Sequence, residues 1–263
     1  MERKNRKKAG FWVSKDVSRF VSFASSIPSE VPVGNAAYYL LSPLNKLILD
    51  FGCFRGKSSA HILEMGAGKV VGIDIDRRNI EVAKKTYSRE QRLTFHYVPI
   101  GSTIPHVEKF DGAAMVFVHP CISTLVELED AISKISHVLK RGAFLVIVGF
   151  HHNVLLKRGN FLFYRLSPPV ELKDSTVFHN KLILPSGKSI DLSDHYWSNN
   201  ILRNILKKNN FSVCFFDVPK GLPESAKKMF NTTLTDTQKR YNIVNWLDEW
   251  NMPLYQIILA EKL

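Results

Sequence analysis

The chain has 263 residues, 45% of them hydrophobic, and 36 Lys and Arg against 24 Asp and Glu give a formal net charge of +12. That length suits one α/β domain with insertions, and the longest apolar run, Ala143 to Phe150, is of strand length, so no membrane span is expected. Cys53, Cys121 and Cys214 are too scattered for a disulfide framework or a zinc site, and the basic start Met1 to Lys8 precedes no hydrophobic segment of signal-peptide length; a cytoplasmic protein is expected.

Residues 9–45 carry apolar faces at Phe11-Trp12 and Phe20 to Phe23. Pro28, Pro32 and Gly34 are expected to break this segment before a short helix over Asn35 to Leu41, which carries Tyr38-Tyr39. Residues 1–45 thus read as a helical cover, and 46–263 as the main domain. The stretch Lys46 to Asp76 organises the rest. Leu47-Ile48-Leu49 reads as a buried parallel strand ending at Asp50, and Gly52-Cys53-Phe54-Arg55-Gly56 as a glycine turn. Ser58 to Met65 reads as a helix stopped by Gly66-Ala67-Gly68, and Val70 to Ile73 as a second strand ending at Asp74. Strand, turn, helix and strand make one right-handed βαβ unit of the kind that binds an adenosine.

Three ligand classes compete for that unit. A dinucleotide site wants G-x-G-x-x-G, but Phe54 and Lys57 stand at the second and third glycine positions. A P-loop wants one more residue than Gly52 to Ser58 provides, which removes its anion cradle. The third class fits. D-x-G-C-x-x-G, Asp50 to Gly56, resembles motif I of the class I S-adenosylmethionine (SAM) methyltransferases, and V-V-G-I-D ending at Asp74 resembles their acidic second motif. The resemblance implies a Rossmann-like, seven-stranded, mostly parallel sheet with helices on both faces and an antiparallel last strand. It implies that Asp50, Gly52, Cys53, Phe54 and Gly56 surround the methionine part of SAM, and that Asp74, with Ile75 beside it, holds the ribose. One departure stands out: Phe54 occupies a position where that family usually has glycine.

Farther along, Arg77 to Arg89 reads as a helix capped by Asp76, and Leu93 to Val98 as the third strand. Ile100-Gly101-Ser102 follows where the family commonly carries an acid for the adenine amino group. With no acid there, the adenine is expected to rest on backbone groups and apolar packing near Ile100 and Gly101. Phe110-Asp111 opens the fourth strand, Gly112 to Val118, which ends at His119-Pro120. Ligands sit at such strand ends in open parallel sheets, so His119 is the first candidate base. Cys121 is expected to be a small buried hydrophobe.

Ser123 to Lys140 reads as an amphipathic helix closed by Lys140-Arg141-Gly142, and Ala143 to Gly149 as the fifth strand. His151-His152 follows; His151 is the second candidate base, with a solvent-exposed pair as the alternative. Residues 151–195 form an insertion with a hairpin around Pro185-Ser186-Gly187. His195-Tyr196-Trp197 is expected to begin the next helix, before a strand over Phe211 to Val218. Residues 221–251 form a second insertion, and Leu254 to Lys262 the last strand. Both insertions are expected to act as lid or acceptor elements.

The resemblance implies methyl transfer from SAM to an oxygen or nitrogen of a small-molecule acceptor, without a metal, since no metal-ligand spacing is present. An RNA acceptor is the second reading, prompted by the charge, although the basic residues come as scattered pairs rather than one stripe. A SAM-fold module without catalysis is the third, prompted by Phe54 and the missing acid.

Overall fold

The computed structural model describes residues 30–105, 109–155, 159–160, 164–167, 171–183, 189–217 and 255–263. Strand β1, Leu47–Phe51, lies inside a seven-stranded sheet and is buried at its three central residues. Its apolar run fits a strand covered on both faces. β2 (Lys69–Asp74) and β3 (Leu93–Tyr97) extend the sheet in parallel on one side, and β4 (Phe110–Val116) and β5 (Leu139–Phe150) on the other. Beyond β5 come β11 (Tyr255–Lys262) and then β10 (Phe211–Asp217), with β11 antiparallel to both its neighbours. The order β3-β2-β1-β4-β5-β11-β10 is the mostly parallel architecture expected from the sequence.

Helices α1 (Glu30–Leu41), α2 (Lys57–Glu64) and α3 (Arg77–Thr86) cover one face, burying Tyr38, Leu41, Ile62 and Ile80 with Ile48, Val146, Val148 and Tyr255. On the other face α4 (Leu125–Val138) and α6 (Asn199–Lys208) bury Leu128, Ile132 and Leu202 with Leu49, Met115, Ile147 and Trp197. Sheet residues therefore sort by the two-residue period of a strand, alternating between two separate cores. Asp111, from the Phe-Asp pair, ties β1 into place: its carboxylate accepts the Leu47 N–H at 2.9 Å and the Lys140 ammonium at 2.6 Å.

Several boundaries differ from the sequence expectation, each for a local reason. α1 starts at Glu30 and runs through Pro32 and Gly34, because a proline in the first turn removes an N–H that has no intrahelical partner anyway. Lys140-Arg141-Gly142 does not close α4. The three exposed residues bulge out within β5, between the Phe110–Leu139 and Gly112–Phe144 pairs. His195 is the last residue of a strand rather than the start of α6. That helix is capped by Ser198, whose Oγ accepts the Ile201 N–H at 3.3 Å. Asp76 caps α3 as expected, accepting the Arg78 N–H at 2.8 Å.

The insertion after β5 begins with a four-residue helix, α5 (His152–Leu155). It continues as an antiparallel sheet of β6 (Gly159–Asn160), β7 (Tyr164–Ser167), β8 (Val177–Ile183) and β9 (Ser189–His195). The hairpin is present as β8 and β9; its turn at Pro185-Ser186-Gly187 lies outside the described residues, as do Phe11-Trp12, Phe20 to Phe23 and residues 221–251. No described helix is long and apolar enough to cross a membrane.

Gly72 in β2 is needed for packing. A Cβ there would stand 2.8 Å from both the Cys53 Sγ and the Phe95 ring. Gly72→Ala is expected to destabilise the fold by about 1–3 kcal/mol through overpacking, read as a lower urea midpoint.

Candidate functional site

The turn after β1 is pinned to the end of β2. The Gly52 and Cys53 N–H groups both donate to the Ile73 carbonyl, at 2.8 and 2.9 Å. The Phe54 N–H donates to Asp74 Oδ2 at 2.9 Å, while Asp74 Oδ1 accepts the Asp76 N–H at 2.8 Å. Asn79 adds a side-chain bond to the same carboxylate. Burial pushes the Asp74 carboxyl up, and these hydrogen bonds act against that shift. One carboxylate thus fixes the glycine turn, the strand end and the head of α3 together.

Phe54 sits in this turn with φ 51°, in the left-handed region. Glycine takes that region freely, whereas a side chain there costs about 1–2 kcal/mol. Gly56 has φ 83° and heads α2, whose start has no side-chain cap. A Cβ on Gly56 would lie 2.6 Å from the Phe95 ring. Cys53 is buried, its sulfur against Gly72, so it offers a ligand its backbone rather than its thiol.

Asp50 is buried, and its Oδ2 accepts from the Ser58 and Ser59 hydroxyls, each at 2.6 Å. Burial raises its carboxyl to about 6, the two serine bonds lower it, and the charge of Asp74 raises it further. Ser58 therefore serves the carboxylate rather than a phosphate, in keeping with the short turn. The sequence did not single out Ser58, Ser59 or Asn79 for this role; only their positions after the turn and after Asp76 hinted at it.

Past the ends of β2 and β3, Ile75 and Ile100 are 57% and 54% exposed. Two large apolar side chains left to solvent at neighbouring strand ends suit a flat heteroaromatic ring. Gly101, with φ 85°, has nothing near the position a Cβ would take, so the backbone there is open to approach. The two neighbouring carboxylates and the exposed isoleucines together fit a cationic nucleoside better than a triphosphate.

The residues following β4 diverge. Phe117, φ 55°, turns to the α1 face and meets Phe150 and Tyr255, with ring centroids at 5.8 and 5.3 Å. Val118 packs on Gly52, where a Cβ would lie 2.3 Å from its Cγ2. His119 turns to the opposite face: its ring edge lies on Gly149, and the hypothetical Cβ there is 2.2 Å from Cε1. Burial pushes the His119 imidazole down to about 4, and its Nδ1 has no hydrogen-bond partner among the described residues. A small cavity beside it is lined by His152, Tyr196, Trp197 and Gln256.

His151 is buried and stacks on His152, with centroids 4.6 Å apart. The exposed-pair alternative does not hold for it. Cys121 is exposed, contrary to expectation, because the 3-10 turn His119–Cys121 directs it outward while His119 and Pro120 take the buried positions. Among the described residues no group of three or more His, Cys, Asp or Glu could hold a metal ion.

His119 and Asp50 respond to pH in opposite directions. The folded His119 resists protonation, so its contribution to stability falls as pH drops from about 6.5 towards 4. The folded Asp50 takes up a proton more readily than the unfolded chain, so its contribution rises as pH drops from about 6 towards 3.8. Each shift corresponds to roughly 3 kcal/mol, and in wild type they offset one another. Asp50→Asn is expected to be more stable than wild type at pH 7 and to lose that gain by pH 4. Urea midpoints across this range check it.

Residues 48–142 match the model of a methyltransferase domain family. The O-methyltransferase cnsE of Penicillium expansum is 27% identical over 233 residues, covering 82% of this chain and 72% of that one. An O-methyltransferase of Pyrenophora dematioidea is 34% identical over 106 residues, 38% of each chain. The solved structure of a SAM-dependent methyltransferase from Mesorhizobium loti superposes with a TM-score of 0.57 at 13% identity, covering 88% of this chain and 96% of that one, a likeness of fold. Motif, matched domain and sheet order agree: the chain carries a methyltransferase domain with the class I, Rossmann-like fold, and SAM is its cofactor.

Proposed function

We propose that the protein methylates a hydroxyl oxygen of a small molecule. The observation carrying this reading is the similarity to an O-methyltransferase over 82% of the chain, which extends well beyond the matched domain at 48–142. In this reading the Asp50–Gly56 turn surrounds the methionine part of SAM, Asp74 accepts from the ribose hydroxyls, and Ile75, Ile100 and Gly101 hold the adenine. Residues 1–45 and the insertions 151–195 and 221–251 cover the acceptor.

Bound SAM supplies an electrophilic methyl carbon, so the chain's own task is position, desolvation and removal of one proton. The acceptor oxygen bonds to that carbon as the carbon–sulfur bond breaks, and the hydroxyl proton passes to a base. His119 is a poor base at neutral pH, since an imidazole held near 4 has little driving force to take a proton, and Gly149 closes its ring edge. His151, directly after the half-buried Phe150 at the end of β5, is the better-placed imidazole.

The RNA reading predicts basic pairs gathered on the ligand edge of the sheet. Arg77-Arg78 lie at that edge, but Lys84-Lys85 and Lys207-Lys208 lie at the C-terminal ends of α3 and α6, towards the opposite edge. Among the described residues the basic pairs do not gather at one edge, and Lys227-Lys228 and Lys239-Arg240 lie outside them.

Calorimetry with S-adenosylhomocysteine should show binding, and Asp74→Ala should weaken it by about 1.5–3 kcal/mol through lost ribose bonds and a freed turn. Unchanged affinity in that variant would count against the assignment. In a transfer assay with methyl-labelled SAM and a panel of hydroxyl acceptors, His151→Ala is expected to lower kcat by about 10²–10⁴-fold, whereas His119→Ala mainly lowers stability. Activity is expected to survive a chelator.

A further inference from the structure

We infer that the cavity beside His119, on the α4 and α6 side of the sheet, binds one water molecule that hydrogen-bonds both the His119 and the His152 imidazoles. Three separate stretches of chain meet at this cavity. The turn after β4 brings His119, α5 brings His152, and β11 brings Gln256. Trp197, just ahead of α6, and Leu202 within it close the cavity on the helix side. In both histidines Nδ1 is sealed from bulk solvent and has no hydrogen-bond partner among the described residues. A buried polar atom left in that condition is costly, and protein interiors pair almost all of them with protein groups or ordered water. Two such atoms bordering one cavity point to one shared partner.

The surroundings fit that partner. His119 is 7% exposed and its ring is wedged: Cε1 and Nε2 lie 2.2 and 2.6 Å from where a Cβ on Gly149 would stand. Gly149 pairs with Gln256 across the β5–β11 ladder, so the buried Gln256 borders the same cavity and offers a side-chain amide. Two imidazoles and an amide supply the three hydrogen bonds that a buried water typically makes. Burial keeps the His119 imidazole neutral down to about pH 4, so it brings no charge to attract an anion. Two imidazoles and an amide also fall short of a zinc site, and among the described residues no group of three or more His, Cys, Asp or Glu could hold a metal ion. The space is that of about one water molecule, which leaves no room for an organic guest. Because α5 opens the insertion after β5, the water ties the root of that insertion to the turn after β4.

The test is a crystal structure of the full-length protein that shows ordered waters, with a mutant cycle in solution beside it. One density peak is expected within about 2.7–3.2 Å of both Nδ1 atoms. Crystals soaked in zinc chloride should show no anomalous signal in the cavity. His119→Leu, His152→Leu and the double variant should lower the urea midpoint non-additively, the second substitution costing less once the first has released the water. No peak, a peak bonded to one imidazole alone, a direct bond between the two rings, zinc in the cavity, or additive midpoints would overturn the inference. If the leucine variants do not fold, the wild-type density and the zinc soak decide it.

Discussion

The whole site depends on the bond from the Phe54 N–H to the Asp74 carboxylate. A glycine turn following one strand and an acid ending the next are twenty residues apart in the chain, and neither alone shapes a cradle. The carboxylate joins them, and with the Asp76 N–H and Asn79 it also fixes the start of the following helix. It remains half-buried, so ligand hydroxyls can reach its remaining lone pairs. Around this point the chain accepts real costs. Asp50 is an acid buried against its preference, and Phe54 holds a backbone angle that glycine would adopt freely. Both costs fall at or beside the glycine turn, where the fold is otherwise well packed.

Two carboxylates so close would repel without help. Asp50 is supported by two serine hydroxyls, Asp74 by backbone N–H groups and Asn79, and no cation among the described residues contributes to either shift. Their field is suited to the positive sulfonium and ammonium groups of SAM. The same arrangement disfavours a triphosphate, so electrostatics agrees with the shortened turn in separating this site from a P-loop.

Much of the fold was legible in the sequence because its signals are local. The strand of Leu47 to Leu49, the Asp76 cap and the position of Asp74 each rest on residue type and short spacing. The geometry of the turn at 50–56 and its tie to Asp74 follow from those elements. What failed had causes that spacing does not carry. Pro32 looked like a helix breaker, yet it sits in the first turn, where its missing N–H has no consequence. His195-Tyr196-Trp197 looked like a helix start, but β9 claims His195 by pairing with Val177, and Ser198 provides the cap. The strand end after β4 was the least readable. Whether Phe117 or His119 lies on the face that carries Asp50 depends on a single twist after β4, which places the two side chains on opposite faces of the sheet. A histidine at a strand end draws the eye, and nothing in the sequence marks it as turned away.

That twist has a consequence for which positions can change independently. Val118 and His119 each occupy the space a side chain would need on a facing glycine, Gly52 and Gly149. Either residue can change freely only in concert with its glycine. Phe117 is held in another way, by the rings of Phe150 and Tyr255. Substitutions along this strand end should therefore arrive in coupled pairs, residue with facing glycine, rather than singly.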